Sequence, residues 1–411
     1  MSPLLPTVSV TTRHSASLYP WQLTTGLPEA GPLLGINLLA DGAMFAYDPW
    51  ECYAAGVLTS PNMVVLGQLG KGKSALVKTY LSRQLLAGRC AYVLDPKGEY
   101  GPLAQARGLA RLSLSPGGSE RLNPLDAVPG DDLEAVTRRR TGVIGALAAT
   151  GLGRDLTAEE RAAIGVAVGE LPPAPTLTHV VDRLLDPSAE MAATLHTTPP
   201  ALAVGVRQAA LELRRLLAGD LAGMVEGPST ATLDPDGRGI VVDLSAVFGT
   251  DALASVMVCA GAWLSVAIAR ESARRRLLLV DEAWALLGAA ATTAWLQGVS
   301  KLARRHGVAL ITVVHRCSDL SGQADAGTAA QAQARGLLAD AETRVVYGQP
   351  PGERAAVAEL LDLSDTETEL VTRLPAHRAL WRVGGNAAVV EHVLTEHEAA
   401  GLVDTDQRMR P

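Results

Sequence analysis

The stretch Asn62-Met63-Val64-Val65-Leu66-Gly67-Gln68-Leu69-Gly70-Lys71-Gly72-Lys73-Ser74-Ala75 decides the reading of this chain. A short apolar run leads into a G-x-x-x-x-G-K-S pattern from Gly67 to Ser74. A helical pattern then runs from Ser74 to Ala87, with Leu76, Tyr80, Leu81 and Leu85 on one face and Gly88 as a stop signal. Strand, glycine loop and helix in that order are the context a phosphate-binding loop needs. Glycines let backbone N–H groups turn inward around phosphates, and the helix N-terminus adds its dipole. Gly67, Gln68, Leu69, Gly70, Lys71, Gly72, Lys73, Ser74 and Ala75 are therefore the candidate cradle. Lys73 would reach the β- and γ-phosphates, and the Ser74 hydroxyl would ligate Mg²⁺. A second apolar run, Ala91 to Asp95, completes a strand–helix–strand unit and predicts an α/β fold with a parallel sheet.

The second chemical element is Leu277-Leu278-Leu279-Val280-Asp281-Glu282. Four aliphatics suit a strand buried on both faces, and two carboxylates close it at the sheet edge where ligands bind in such folds. Asp281 would hold the Mg²⁺ shell, and Glu282 would polarise a water against the γ-phosphate as a general base. A strand ending in Asp-Glu is by itself most often a solvated terminus. Its coincidence with the phosphate loop reverses that weighting. The reading requires the loop and the paired acids to lie at the same end of the sheet, within a nucleotide's reach.

Composition sets the outer limits. The chain has 411 residues, 48% of them hydrophobic and 19% charged, which is ample for a large core and excludes general disorder. The net charge of −7 excludes nucleic-acid coating by bulk positive charge and leaves room for a local basic channel. Cys52, Cys90, Cys259 and Cys317 form no CxxC pair, so neither a disulfide scaffold nor a cysteine zinc site is expected, and a reducing cytosol fits. No basic n-region precedes an apolar run at Met1 to Val10, so no secretory signal is expected. Ala252 to Ala269 is uncharged for 18 residues but is rich in Ala, Ser and Gly, and is read as a buried core helix rather than a membrane span. Of the 36 basic residues only five are lysine (Lys71, Lys73, Lys78, Lys97 and Lys301), and in so arginine-rich a chain a retained lysine hints that an ammonium is wanted.

Four regions follow from the pattern. Residues 1–56, rich in Pro, Gly and Thr, read as an irregular lead-in or a few edge strands. Residues 57–124 hold the first part of the core. Residues 125–235 change to helical periods and are expected to form a helical insertion. Residues 236–411 return to the core, with strands at Gly239 to Leu244, Leu277 to Asp281, Val308 to Val314 and Thr343 to Tyr347. A small C-terminal hairpin, Ala379 to Val383 with Ala387 to Val393, and a short polar helix close the chain. Arg138-Arg139-Arg140 and Arg274-Arg275-Arg276 read as solvated charge runs before DNA contacts. His392 and His397 are five apart, not the i, i+4 pair of a helical zinc site; they read as surface residues, and no zinc is expected.

The strings Tyr92-Val93-Leu94-Asp95-Pro96-Lys97-Gly98-Glu99-Tyr100, Asp281-Glu282-Ala283-Trp284 and Arg121-Leu122-Asn123-Pro124-Leu125 resemble the HerA–FtsK superfamily of P-loop NTPases. They are most similar to its conjugation and type IV secretion ATPases, in an actinobacterial-like form. The resemblance implies a RecA-like core with a mostly parallel central sheet, ATP and Mg²⁺ as cofactors, ATP hydrolysis and a hexameric ring. It also implies a membrane-associated secretion or conjugation partner, work on DNA or protein, and a cytoplasmic place at the inner face of the cell membrane. Because the lead-in is too short for the large N-terminal domain of such ATPases, a separate membrane-proximal partner is expected. Relatives carry a polar sensor, typically glutamine, after the strand that here ends at Val314; His315 stands there, as a sensor or as a histidine merely finishing the strand. Arg304 and Arg305 are candidates for an arginine supplied to a neighbour's transition state, or for basic residues favoured at a helix C-terminus. Asp95 and Glu99 read as a link from nucleotide to loop or as packing. Other readings are a DNA translocase or packaging ATPase without a channel, a nucleotide-gated scaffold that does not hydrolyse, and a small-molecule kinase, the last disfavoured by the Asp-Glu pair and the insertion.

Overall fold

The computed structural model describes residues 27–28, 30–127, 132–219, 221–234, 237–269, 274–287, 290–314, 336, 338 and 340–403. Within them the backbone is organised around an 11-stranded sheet in the order β2-β1-β11-β10-β9-β3-β8-β7-β4-β6-β5. The strands are β1 Leu33–Asn37, β2 Ala43–Ala46, β3 Met63–Leu66, β4 Cys90–Asp95, β5 Ala110–Ser113, β6 Gly239–Asp243, β7 Arg276–Val280, β8 Val308–Val314, β9 Thr343–Tyr347, β10 Arg378–Val383 and β11 Asn386–His392. From β9 to β5 every pairing is parallel; from β9 to β2 every pairing is antiparallel. The central parallel strands β3, β4, β7 and β8 are near-continuous apolar runs because helices cover both their faces.

Alternation along each strand divides the interior in two. Val64, Leu66, Tyr92, Leu94, Leu278 and Val280 face one core, which they share with the helices of the insertion. Met63, Val65, Val93, Leu277 and Leu279 face the other, with the helix Lys73–Leu86 and the helix Gly101–Arg107. A one-residue slip of any central strand would exchange these sets, so the pattern itself holds the register. The insertion is helical: Leu133–Leu152, Ala158–Gly169, Leu177–Leu185, Ala189–Thr194 and Pro199–Ala218. Its apolar residues merge with the sheet's core.

The described part of the lead-in supplies β1, the edge strand β2 and the helix Pro49–Ala54, while residues 1–26 and 29 lie outside the described residues. Phe45 and Tyr47 meet the buried Trp381 of β10 at ring-centroid distances of 5.0 and 5.4 Å. The hairpin β10–β11 turns through Gly384 and Gly385, a two-residue loop whose first glycine takes φ 56°. The uncharged stretch becomes the helix Leu253–Ala269, buried against the sheet, and among the described residues no helix is long and apolar enough to cross a membrane.

The arginine runs are not simply solvated. Arg140 is buried and donates to the Leu125 carbonyl at 2.7 Å, Arg139 donates to the Asp126 carbonyl at 2.6 Å, and Arg276 is buried in β7. They satisfy carbonyls where the chain enters the insertion and the strand.

Candidate functional site

The phosphate-loop sequence lies between β3 and the helix Lys73–Leu86, and the backbone of the neighbouring strands holds it. The Gln68 N–H donates to the Gly348 carbonyl at 3.3 Å, and the Lys71 carbonyl accepts from the His377 N–H at 2.9 Å. Gly67 packs so closely on β9 that a Cβ would lie 2.4 Å from the Tyr347 Cβ. Gly72 caps the helix at φ 108°, a conformation side-chain-bearing residues avoid. Lys73 is buried, and its ammonium donates to the carbonyls of Gly67 and, at 3.1 Å, of Gln68. The lysine is thus folded over the loop that a phosphate would enter.

The acids stand at the same sheet edge. Strand β8 pairs in parallel with β3 on one side and β7 on the other, with Leu66 level with Val314 and Val280 level with Thr312. Two inter-strand spacings separate β3 from β7, so the loop and Asp281-Glu282 are about 10 Å apart across the edge. Loop and acids thus lie at the same end of the sheet, at a separation on the order of a triphosphate tail's length.

A second turn, between β4 and the helix Gly101–Arg107, cages the acids. Asp95 accepts from the N–H groups of Glu99 at 3.0 Å and Tyr100 at 2.8 Å, which shapes the turn. The Tyr100 hydroxyl then donates to Asp281 Oδ2 at 2.9 Å, while the Glu282 N–H donates to Asp281 Oδ1 at 2.9 Å. Lys97 pairs with Glu282 Oε1 at 2.5 Å, and the Trp284 indole N–H donates to Oε2. Lys78, fully buried, pairs with Glu99 at 3.1 Å and lies 5.5 Å from the Tyr100 ring centroid. Glu282 itself turns the chain at φ 52°, a sparsely populated conformation for a side-chain-bearing residue.

Burial dominates the electrostatics. It pushes the Asp281 carboxyl above its usual range, with the adjacent Glu282 adding to the rise and the Tyr100 hydroxyl opposing it. Asp95 is pushed up to about 6 by burial, against the two N–H groups it accepts from. Asp243, at the end of β6, is also buried, yet the Arg111 guanidinium and the Ser245 N–H hold it below the usual range. A divalent cation at this edge would favour the ionised form of the buried Asp281 carboxyl. Among the described residues no group of three or more His, Cys, Asp or Glu could hold a metal ion. An ion here would share its shell with phosphate oxygens, the manner of Mg²⁺, and Ser74 and Asp281 offer the hard oxygen donors it prefers.

The remaining sequence candidates fall elsewhere. His315 lies outside the described residues. The helix Ala290–Arg305 ends before β8 begins, so Arg304 and Arg305 are at the opposite sheet edge from the phosphate loop of the same chain. His392 is not a surface residue: it is 8% exposed, and its Nε2 lies 2.9 Å from the Thr79 hydroxyl on the phosphate-loop helix. It ends β11, whose inward face packs on that helix. His397 is exposed. Sequence reasoning gave Tyr100 and Lys97 no roles, although both stand in the Tyr92–Tyr100 string and the scarcity of lysine also pointed at Lys97.

The fold and the site define a RecA-like P-loop NTPase fold, with one strand between the phosphate-loop strand and the strand of the acids. No protein-family model matches the chain, and no curated protein matches it. Solved structures do. VirB4 of Thermoanaerobacter pseudethanolicus superposes with a TM-score of 0.70 at 22% identity, over 90% of this chain and 98% of that one. The plasmid coupling protein TrwB in complex with the non-hydrolysable ATP analogue ADPNP gives 0.57 at 17% identity, over 82% and 86%. TrwB with ADP and Mg²⁺ gives 0.56 at 17%, over 82% and 85%. At these identities the likeness is one of fold, and it is the fold implied by the resemblance of the motifs.

Proposed function

We propose that the chain is an Mg²⁺-dependent ATPase, the motor subunit of a conjugation or type IV secretion-like transfer system. The observation that carries the reading is the placing of the Lys73 loop and the Asp281-Glu282 pair at one sheet edge, on strands separated only by β8. The fold shared with VirB4 and the bacterial conjugative coupling protein TrwB supports the transfer role.

In the proposed reaction the loop amides and Lys73 hold the β- and γ-phosphates. Ser74 and Asp281 would hold Mg²⁺, which when bound would supply charge neutralisation on the phosphate oxygens. Glu282 orients a water and takes its proton as the water oxygen bonds to the γ-phosphorus. The bond from that phosphorus to the β-bridging oxygen breaks, leaving ADP and inorganic phosphate. Arg304 or Arg305, at the far edge of its own chain, would serve only a neighbour in a ring. That placement favours action in trans and a homo-oligomer, hexameric by resemblance, with DNA or protein as the moved substrate and a membrane-associated partner at the inner face.

The test is ATP turnover by wild type and Glu282→Gln, with and without DNA, as protein concentration is raised. Loss of a positioned base lowers kcat about 10²- to 10⁴-fold. Turnover of wild type should rise cooperatively with concentration. Equal turnover by the two proteins removes Glu282 from its role, and a flat concentration dependence counts against the ring.

A further inference from the structure

Glu282 is held in a direction that does not suit the role proposed for it. Its strand β7 has β8 and then β3 on one side, and β4 on the other. The phosphate loop follows β3, and Lys97 follows β4. The 2.5 Å ion pair with Lys97 therefore draws the carboxylate toward β4, away from the side where a γ-phosphate would lie. The second oxygen is taken by the Trp284 indole N–H. Both oxygens of the side chain thus have donors, and the carboxylate is only 3% exposed. A base must turn one oxygen toward the water it deprotonates. Lys97 reaches solvent: it is 26% exposed and lies 5.6 Å from the ring centroid of Phe248, itself 41% exposed.

We propose that Lys97 is a restraining, positioning residue for Glu282: the ion pair holds the carboxylate withdrawn toward β4, and hydrolysis waits on its parting. This rests on the reading of Glu282 as the base, and concerns how that base is withheld. Each turnover must break the Lys97 pair before the water is activated, so the pair lowers kcat and leaves ATP binding, which is made on the β3 side, unchanged. The scarcity of lysine in the chain acquires a reason here. A single ammonium on a flexible stem can leave its partner more readily than a planar guanidinium held by two parallel bonds.

The experiment compares ATP turnover of full-length wild type, Lys97→Met, Lys97→Arg and Glu282→Gln at saturating Mg²⁺, with thermal melts to confirm folding. Lys97→Met should raise kcat about tenfold, the worth of a charge-assisted hydrogen bond, with KM for ATP unchanged. Lys97→Arg keeps the charge and can add a second parallel bond, so it should be restrained more strongly and turn over several-fold more slowly than wild type, with KM for ATP unchanged. The ¹⁵N-indole resonance of Trp284, assigned by its loss in Trp284→Phe, should move in Lys97→Met and hold in Lys97→Arg, whether or not the protein turns over. Lys97→Met turning over at or below the wild-type rate, with Glu282→Gln inactive, overturns the restraint and leaves the ATPase standing. Glu282→Gln matching wild type overturns the base itself, a different pattern. An indole resonance unmoved in Lys97→Met overturns the pairing on which the restraint depends.

Discussion

The two halves of the site are built from different materials. The cradle after β3 is made of backbone: glycine amides, and carbonyls and N–H groups lent by Gly348 and His377. The acid cage after β7 is made of side chains: Tyr100 on Asp281, and Lys97 and Trp284 on Glu282. A backbone cradle works in one geometry and tolerates few residue types. A side-chain cage can be loosened one bond at a time. In the proposed reaction the first would serve binding, which must be constant, and the second a step that can be regulated.

The contrast fixes what substitution should do on each side. In the cradle, Gly67→Ala puts a Cβ 2.4 Å from the Tyr347 Cβ, so the loop or β9 must move. A displacement of about 1 Å at a reacting group costs about 100-fold, and kcat/KM for ATP should fall by about that much, measured by steady-state turnover. In the cage, Tyr100→Phe removes one hydroxyl and keeps the ring. Asp281 loses a donor, and the Mg²⁺ concentration for half-maximal turnover should rise about tenfold, with KM for ATP at saturating Mg²⁺ little changed. A Gly67→Ala protein that binds ATP as wild type does would break the distinction. A Tyr100→Phe protein with an unmoved Mg²⁺ requirement would leave Tyr100 with packing alone.

The same division explains what could be read from the amino acids alone. The cradle was legible because its constraints are local: glycine spacing, a preceding apolar run and a following helix lie within one short stretch. The parallel strands were legible for a similar reason, since burial on both faces leaves uninterrupted aliphatics such as Leu277 to Val280. Strand β5, Ala-Arg-Leu-Ser at the sheet edge, has one fully buried side chain and no such signature. The cage was not legible, because Tyr100 and Asp281 are 181 residues apart and meet only when β4 pairs with β7. His392 escaped for the same reason: its 313-residue separation from Thr79 closes only in the fold.

His392 also gives the smallest and most separable effect. Burial, with Arg83 and His377 adding and Glu398 opposing, lowers its pKa from 6.5 to about 4. The imidazole is neutral in the folded protein between those values and protonated in the unfolded chain. The stability this neutrality contributes is complete above pH 6.5 and is lost as pH falls toward 4, because the unfolded state binds the proton first. The span corresponds to about 3–4 kcal/mol at most. Chemical denaturation of wild type and His392→Gln at pH 7 and pH 4.5 measures it: the variant should lose less stability on acidification. Glutamine can still meet the Thr79 hydroxyl, so ATP binding at pH 7.5 should be preserved, since the cradle is held by backbone and not by this side chain. Parallel acid limbs for the two proteins would move the titration to another buried group; impaired ATP binding at pH 7.5 would mean that the cradle depends on β11 after all.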